Sequence, residues 1–295
     1  MVCKVCGCNK VDIIYDDYIR KGAWGVLTKE KYKMYQCKSC QVIWHDRDDM
    51  KEFYESAEYR MEIEKAADIE SYYENHDKEV LEKLQYTGTD IYRNKVVCDI
   101  GCGGGSFLDF VAGASKTVVA VEPSEIYREN LANRGYRTYS YASEALKDWE
   151  GKIDVVISFD VIEHVENPQE FIGEVKRLLV PGGSAIIGTP TDAVVMRKAL
   201  GHEYEQFLFT YQHPWILSAE SMRLICKKEG FDSVEIAYKQ RYGIGNFVSW
   251  LLERKPKGDI SCSYLSNTLN NTWKSELEQS GMADYMVIYL KKQEI

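Results

Sequence analysis

Short β-branched runs alternate with stretches of helical hydrophobic spacing from Lys95 to the end of the chain. Each run suits one buried strand, and the helical stretches are long enough to cross back over a sheet. The predicted strands are Val96–Ile100, Val118–Val121, Asp154–Ile157, Ser184–Ile187, Val234–Tyr238 and Tyr285–Leu290, and the predicted helices are Ser124–Arg134, Pro168–Leu179 and Ser218–Glu229. This alternation predicts an α/β domain with a mainly parallel sheet and helices on both faces.

Two further segments precede this domain. Residues 1–45 carry cysteine pairs at both ends and are too short for a hydrophobic core of their own, so their fold needs an additional cross-link. Residues 46–90 combine helical spacing with repeated tyrosines and glutamates, which predicts a helical connector or lid. The α/β domain then covers residues 91–295, with an insertion around 240–282 that shows few strong strand signals.

The cysteine spacing indicates that this cross-link is a metal ion. Two Cys-x-x-Cys pairs place four soft ligands on two tight turns, a pattern typical of tetrahedral structural zinc. The predicted ligands are Cys3, Cys6, Cys37 and Cys40. Cys8 and His45 stay open as replacements for one of them. Four thiolates leave no position for water or substrate, so the predicted zinc is structural and not catalytic.

Charge and hydropathy restrict the partners. The net charge of −9 disfavours a broad electrostatic grip on nucleic acid, although the first 45 residues hold eight basic against four acidic side chains. No apolar run reaches the length of a membrane span, and Met1–Lys4 lacks the apolar core of a secretory signal. A cytoplasmic location with no membrane partner is therefore expected.

A glycine-rich loop follows the first predicted strand of the α/β domain. Its sequence, Asp99-Ile100-Gly101-Cys102-Gly103-Gly104-Gly105, stands where a strand should turn into a helix, and glycines there let the backbone approach a ligand. Glu122 closes the next strand, 23 residues after Asp99, where a carboxylate can accept both hydroxyl hydrogens of a ribose. Ser106 replaces the third glycine of the dinucleotide fingerprint, so an adenosine cofactor other than NAD is indicated.

Four segments in this order resemble the motifs of class I S-adenosylmethionine (SAM)-dependent methyltransferases. They are Val97–Gly105, Glu122, the stretch Phe159–Val165 and the turn Leu178–Gly183. The resemblance covers roughly residues 90–190. It implies a Rossmann-like class I methyltransferase fold, here with a small N-terminal zinc ribbon, and SAM as the cofactor.

The same resemblance implies roles for individual residues. Gly101 and Gly103 would approach the methionine part of SAM, and Glu122 would hold its ribose. Asp160 would lie near the amino-acid end of the cofactor, and Ala142 and Ser143 beside its adenine. Asp99, within the first motif, completes the set of expected cofactor-binding residues.

Methyl transfer to a hydroxyl also needs a base, and two histidines are candidates. His164 follows the predicted strand Asp154–Ile157 at the carboxyl edge, where ligands bind in open parallel sheets. His213 stands between the predicted strand Ser184–Ile187 and the predicted helix Ser218–Glu229. Either histidine could instead brace its own loop through hydrogen bonds. Tyr59, Arg60 and Tyr73 could form a lid, although tyrosines at helical spacing are more often packing residues.

The region after the cysteine module resembles a bacterial group of methyltransferases with an N-terminal zinc ribbon, many of which modify sugars or other small metabolites. The segments Trp44–Asp46, Phe53–Glu55 and Glu58–Arg60, with Gln240–Asn246 near the C-terminus, carry this resemblance. It implies O-methylation of a sugar-containing or other small metabolite, in glycan or natural-product biosynthesis, with an amine or carbon acceptor less favoured. RNA methylation with the ribbon as a clamp, and a SAM-binding scaffold without catalysis, stay open as alternatives.

Overall fold

The computed structural model describes residues 1–46, 68–258 and 264–294. The chain divides into two compact units. The first contains Met1–Arg47, Gly188–Leu224 and Ile236–Val287, and the second contains Asp48–Ile187, Ile225–Glu235 and Ile288–Ile295. These units group the chain differently from the three consecutive segments expected from the sequence, because the cysteine-rich N-terminus forms one unit with two later stretches.

Strands and helices alternate through most of the described residues. The strands are β1 (Val11–Asp17), β2 (Tyr32–Cys37), β3 (Ile43–Trp44), β4 (Val96–Ile100), β5 (Thr117–Val121), β6 (Arg137–Tyr139), β7 (Ile153–Phe159), β8 (Leu179–Pro190), β9 (Trp215–Ile216), β10 (Ser233–Lys239) and β11 (Tyr285–Lys291). The helices are α1 (Ile69–His76), α2 (Val80–Thr87), α3 (Ser106–Ala112), α4 (Glu125–Asn133), α5 (Ala142–Trp149), α6 (Pro168–Leu178), α7 (Val194–Leu200), α8 (His202–Leu208), α9 (Ala219–Lys228), α10 (Ile244–Glu253) and α11 (Asn267–Gln279).

Seven strands form the central sheet in the order β10-β11-β8-β7-β4-β5-β6. The strand β4 pairs in parallel with β5 and β7, and β5 pairs in parallel with β6. The side chains of Val97 and Cys98 in the middle of β4 are fully buried, as expected for a strand covered on both faces. Parallel pairing brings the carboxyl ends of β4, β5 and β7 to one edge of the sheet, where ligands bind in open α/β folds.

The six predicted strands are all present, and most of their bounds agree within two residues. The exception is β8, which already begins at Leu179, whereas the sequence predicts a turn at Pro181–Gly183 and a strand from Ser184 only. The amide of Gly182 donates to Lys292 O (3.0 Å), and the amide of Lys292 donates to Gly183 O (2.9 Å). This pairing with the C-terminal segment draws the glycines into the strand.

A second sheet of four strands, in the order β1-β2-β3-β9, lies in the first unit. The strand pairs β1 with β2, β2 with β3 and β3 with β9 are antiparallel. The last strand, β9, comes from residues more than 170 positions after β3. A hydrophobic cluster supports this arrangement and includes Tyr15, Ile19, Met34, Ile43, Phe209 and Ile216. The N-terminal segment thus shares its core with residues from the middle of the chain.

The region expected as an insertion around 240–282 contains two helices, α10 and α11, on either side of residues 259–263. The rings of Phe247 and Trp273 stack at a centroid distance of 5.1 Å and join the two helices. Trp250 is buried against Tyr204 and Phe207. Within the described residues, no helix is both long and apolar enough to cross a bilayer.

Candidate active site

The glycine loop connects β4 to α3 in the second unit. Gly101, Gly103 and Gly105 have φ values of 78°, 53° and 93°, in the left-handed region that favours glycine. The amide of Gly101 donates to Val121 O (2.7 Å), which fixes the start of the loop against the end of β5. The loop therefore adopts the tight strand-to-helix turn that the sequence predicts.

The glycines also have no room for a side chain. A Cβ atom on Gly101 would collide with the side chain of Val161, and one on Gly103 would collide with the Tyr72 ring. A Cβ on Gly105 would lie 2.6 Å from Leu131 Cδ2. Backbone that lacks side chains on this edge is the cradle that an extended cofactor requires.

The carboxylate of Glu122 is buried and held by two backbone donors. Its Oε2 accepts from the amide of Gly103 (3.0 Å), and its Oε1 accepts from the amide of Ser124 (2.8 Å). The backbone oxygen of Glu122 accepts from Arg128 Nη1 (2.8 Å). These bonds fix the carboxylate beside the glycine loop, and a carboxylate accepts hydrogen bonds of the kind that a ribose hydroxyl donates. The arrangement fits the expected role of Glu122.

Two aromatic side chains of α1, those of Tyr72 and Tyr73, contact the same loop, and the sequence analysis identified only Tyr73 as a candidate lid residue. Tyr73, predicted as a lid residue, donates to Gly104 O (3.2 Å), and Arg134 Nη2 donates to the same oxygen (2.6 Å). The hydroxyl of Tyr72 lies 3.5 Å from Cys102 O, and its ring stacks on His76 at 4.3 Å. In the sequence, the only signal for these contacts is the helical spacing of the tyrosines, and the same spacing is typical of residues that pack in a protein core.

The other two predicted lid residues, Tyr59 and Arg60, lie outside the described residues, as do the segments Phe53–Glu55 and Glu58–Arg60. The helices α1 and α2 therefore represent the described part of the expected connector.

The remaining predicted cofactor residues lie where β6 and β7 end. Asp160 directly follows β7, is exposed, and has a φ of 57°, a conformation that costs energy for a residue other than glycine and is common at functional sites. Ala142 and Ser143 begin α5 shortly after β6, the first buried and the second exposed. The amide of Ser140 donates to Glu144 Oε2 (3.2 Å) and closes this turn. All three stand at the carboxyl ends of strands.

Asp99 is buried at the end of β4. Burial raises its pKa to about 7, and the Lys83 ammonium acts in the opposite direction. The ordinary value for an aspartate is about 3.9, so the protonation of Asp99 changes near neutral pH. A carboxyl group with such a pKa next to a ligand loop is a recurrent feature of functional sites.

The two candidate bases lie in different units. His164 is half-buried in the second unit, and its amide donates to Val161 O (2.8 Å). His213 is half-buried in the first unit, and its amide donates to Thr210 O (3.1 Å). Both histidines therefore lie in backbone turns, which fits a role in bracing the loop.

The four predicted metal ligands converge in the first unit. The sulfur atoms of Cys3, Cys6, Cys37 and Cys40 all lie within 4.8 Å of one another. The distance from Cys3 Sγ to Cys40 Sγ is 3.6 Å, and that from Cys6 Sγ to Cys37 Sγ is 3.5 Å. A zinc–sulfur bond of about 2.3 Å with tetrahedral angles requires sulfur–sulfur distances of about 3.8 Å. The cluster fits one zinc ion.

The two alternative ligands lie apart from this group. Among the described residues, neither Cys8 nor His45 belongs to the set of converging ligand atoms. The ring of His45 is buried, with Nδ1 3.1 Å from Asp46 O and Nε2 3.3 Å from Thr210 O. The sulfur of Cys8 accepts from the amide of Lys10 (3.4 Å). Four cysteines therefore complete the set.

Backbone hydrogen bonds join the cysteine-rich segment to the stretch that contains His213. The amide of Arg20 donates to Phe209 O (3.0 Å), and the amide of Tyr211 donates to Arg20 O (2.9 Å). The amide of His45 donates to Pro214 O (3.1 Å). The adjacent strands β3, which ends at Trp44, and β9, which begins at Trp215, pair with each other. Residues 209–216 are thus held by hydrogen bonds to the cysteine-rich segment.

Comparison with known families decides which fold this is. A family model described as a methyltransferase domain matches residues 72–236, more than half of the chain. The chain belongs to the SAM-dependent methyltransferases. The match includes the glycine loop, Glu122 and the strands β4 to β8 of the central sheet, and it confirms both the class I fold and SAM as the cofactor predicted from the sequence.

Individual relatives agree with this family. A ubiquinone biosynthesis O-methyltransferase from Caulobacter sp. is 38% identical over 117 residues, which cover 36% of this chain and 46% of that protein. A mitochondrial protein of the same name from Arabidopsis thaliana is 32% identical over 186 residues, 55% of this chain and 58% of that protein. The chain thus spans about half the length of these curated relatives.

The fold also recurs among solved structures. A SAM-dependent methyltransferase from Archaeoglobus fulgidus superimposes with a TM-score of 0.51 at 18% identity, covering 76% of this chain and 97% of that one. At this identity the likeness concerns the fold alone.

Proposed function

We propose that this methyltransferase transfers the methyl group of SAM to a hydroxyl oxygen of a small metabolite. The observation that carries the proposal is the glycine loop with Glu122 fixed beside it, in a chain that belongs to the family. The relatives described above are named O-methyltransferases, which supports oxygen as the attacking atom.

The chemistry is an in-line displacement. The acceptor oxygen forms a bond to the methyl carbon, the carbon–sulfur bond breaks, and sulfur keeps the electron pair to give S-adenosylhomocysteine. The hydroxyl proton passes to a base, for which we propose His164 or His213. The contribution expected of the protein is to align the oxygen with the methyl group and to exclude water.

For the acceptor we propose a sugar-containing metabolite. The resemblance of the N-terminal region to ribbon-containing methyltransferases of sugars supports this class. The names of the curated relatives suggest a second class, a hydroxyl on the ring of a quinone precursor. Both are small molecules with a hydroxyl group, and the assay must separate them.

We also propose that the four cysteines bind one structural zinc ion. The convergence of their sulfur atoms supports this proposal. With four protein ligands the ion has no open position, so it would stabilise the ribbon and take no part in methyl transfer.

The test is a methyl-transfer assay with zinc-supplemented protein and SAM carrying a labelled methyl group. Nucleotide sugars, phenolic quinone precursors and total RNA serve as separate acceptor pools, and mass spectrometry identifies the product. We expect a small molecule heavier by one methyl group on oxygen. Label confined to RNA, or on nitrogen, would contradict the proposal.

Two variants show whether the activity comes from the described site. Replacement of Glu122 by Gln should abolish most of the turnover at limiting SAM. Glu125→Gln, at an exposed position in the first turn of α4, is the matched control and should leave the rate unchanged. Equal loss in both variants would place the activity elsewhere.

A further inference from the structure

A cavity of about 220 Å³ lies entirely in the first unit. Sites for drug-sized ligands enclose roughly 300–1,000 Å³, so this cavity has room for a single ring and not for a nucleotide. The polar residues that line it are Gln36, Gln41, Thr191, Asp192, Ser218, Glu220 and Tyr238.

The charge of the lining selects against anions. Two acidic residues, Asp192 and Glu220, line the cavity, whereas no lysine or arginine is among the described residues that line it. Asp192 has one ion pair, with Arg197 at 3.2 Å, and Glu220 has a longer one, with Arg223 at 3.8 Å. A ligand that donates hydrogen bonds suits this lining, and a phosphate does not.

Part of the cavity lining is apolar. The side chains of Val194, Ile216 and Leu217 contribute aliphatic surface. Gly281 lies opposite Tyr238, and a Cβ atom there would come within 3.2 Å of Tyr238 Cε2, so glycine lets the phenol ring sit close to the backbone. An apolar face beside hydroxyl, amide and carboxylate groups matches the two faces of a sugar ring.

Two hydrogen-bonding groups of the lining are available to a ligand. The hydroxyl of Tyr238 makes no hydrogen bond to any part of the chain that the structure describes. The same holds for Oε1 of Gln36, whose Nε2 lies 3.4 Å from Gln41 Oε1. A half-buried phenol and an amide oxygen of this kind can donate to and accept from a hydroxyl group.

Gln41 has an unusual backbone for its residue type. It follows the second cysteine pair with a φ of 57°, and its amide donates to Cys37 O (3.0 Å). Gly7 follows the first pair in the same turn, with a φ of 74° and an amide bond to Cys3 O (3.0 Å). Glycine meets this geometry without strain, so a glutamine here indicates a use for its side chain.

That side chain links the metal cluster to the cavity. Gln41 Nε2 donates to Lys38 O (2.9 Å) inside the turn, and Gln41 Oε1 faces the amide of Gln36. Ser218, on the other side of the cavity, donates to Cys40 O (2.6 Å). The second cysteine turn therefore positions polar groups on two sides of the cavity.

We propose that this cavity binds the sugar ring of the acceptor, a neutral hexose or an aminohexose. Gln36, Gln41 and Tyr238 are its specificity-determining residues. The inference rests on the proposed function for the statement that the sugar belongs to the acceptor. The binding itself needs neither SAM nor turnover.

The experiment is saturation-transfer NMR on the full chain with zinc. The probes are methyl glycosides of glucose, galactose, mannose and their 2-amino derivatives, with glucose 6-phosphate as the anionic comparison. Binding of at least one uncharged or amino probe is expected. Tyr238→Phe should weaken that binding about 2- to 10-fold, the effect of one hydrogen bond. Tyr18→Phe, at an exposed position on the first unit, is its control.

Gln41→Gly separates binding from stability. Glycine suits the left-handed backbone, so the Tm should stay within about 2 °C of the wild type while the sugar affinity falls at least 10-fold. The matched control is Asn94→Gly, because Asn94 has a φ of 60° and does not line the cavity. It should change neither quantity by more than this margin.

Three results would overturn the inference. They are the absence of transfer to every neutral or amino probe, equal affinity in wild type and both cavity variants, and stronger binding of the phosphorylated probe. Sugar binding that these variants weaken, in a protein that methylates no sugar, would contradict the proposed acceptor and keep the cavity as a sugar site. If the protein methylates a sugar and neither variant changes that activity, the proposed acceptor would stand and the cavity would be excluded as the sugar site.

Discussion

Glu122 combines a structural role with a proposed role in cofactor binding. Its carboxylate fixes the glycine loop through Gly103 and the start of α4 through Ser124, and we propose that it also accepts hydrogen bonds from the cofactor ribose. Because the loop bonds hold the carboxylate in one orientation, little conformational entropy is lost when a ribose binds.

Glu122→Gln should therefore weaken SAM binding substantially. The amide keeps one acceptor oxygen but replaces the other with a donor that faces a backbone amide or a ribose hydroxyl. Loss of charge-assisted bonds worth about 1.5–3 kcal/mol corresponds to a rise in Kd of roughly 10- to 100-fold. Calorimetric titration with SAM measures this change. A Kd within threefold of the wild type would remove Glu122 from the cofactor site.

Asp99 predicts a pH dependence of stability. Burial raises its pKa to about 7 in the folded state, so between pH 4 and 7 the folded protein binds this proton more tightly than the unfolded chain does. Its contribution is fully present below pH 4, declines as the pH rises, and is lost above pH 7. Since one pKa unit corresponds to about 1.4 kcal/mol, the total is a few kcal/mol at most.

Asp99→Asn removes this contribution, because an amide carries no charge at any pH. For protein without cofactor, the difference in Tm between the variant and the wild type should grow by several degrees in favour of the variant from pH 5 to pH 8. Asp232→Asn, at an exposed position, is the control and should show no such trend. A constant difference for Asp99→Asn would contradict the raised pKa.

At the scale of the element, the sequence predicts the bounds of those strands and helices that local residue patterns determine. The bounds of β4 are predicted without error and those of β5 and α6 within one residue, because β-branched runs, Asn167 as the helix cap and Pro168 at the first helical position are local signals. The four cysteine ligands follow from spacing alone in the same way.

Elements that depend on distant partners escape this reasoning. The strand β9 has only two residues and exists because Trp215 and Ile216 pair with Trp44 and Ile43. Likewise, Tyr72 looks like any other packing residue until the structure places it against the glycine loop. The position of α1 over that loop comes from tertiary packing, which no periodicity reports.

The dependence of β9 on the ribbon can be measured by hydrogen exchange. Removal of zinc with a chelator should increase amide exchange in peptides that cover β2, β3 and residues 209–216, because the second cysteine turn connects β2 to β3, the strand that pairs with β9. Peptides from β4 and β5 should keep their protection. Unchanged exchange in residues 209–216 after zinc loss would show that the segment holds its place without the ribbon.

Cysteine variants provide the matched control for that experiment. Cys40→Ser should lower the zinc content well below one ion per chain and reproduce the effect of the chelator. Cys8→Ser should keep one ion, since Cys8 lies outside the converging set. Elemental analysis of the purified proteins measures the metal. Zinc loss in Cys8→Ser would return Cys8 to the ligand set.

At the scale of the whole molecule, charge bears on the choice of acceptor. The chain carries a net charge of −9, and its most basic segment is the ribbon. In that segment Lys4, Lys31, Lys33 and Lys38 pair with nearby aspartates. The buried guanidinium of Arg20 donates to Phe207 O (2.8 Å) and Gly22 O (2.6 Å). Lys10, Lys21 and Lys29 are what remains of the eight basic groups.

Three lysines do not make a clamp for RNA, because affinity for a polyanion depends on the number of phosphates neutralised. We expect the zinc-bound protein to show no change in the fluorescence anisotropy of labelled tRNA at 150 mM salt, up to protein concentrations of about 10 µM. The variant with all three lysines changed to Glu is the control. Binding with a micromolar Kd that rises steeply with salt, and loss of this binding in the variant, would mean that the ribbon binds RNA. The proposed sugar acceptor would then be replaced by an RNA acceptor.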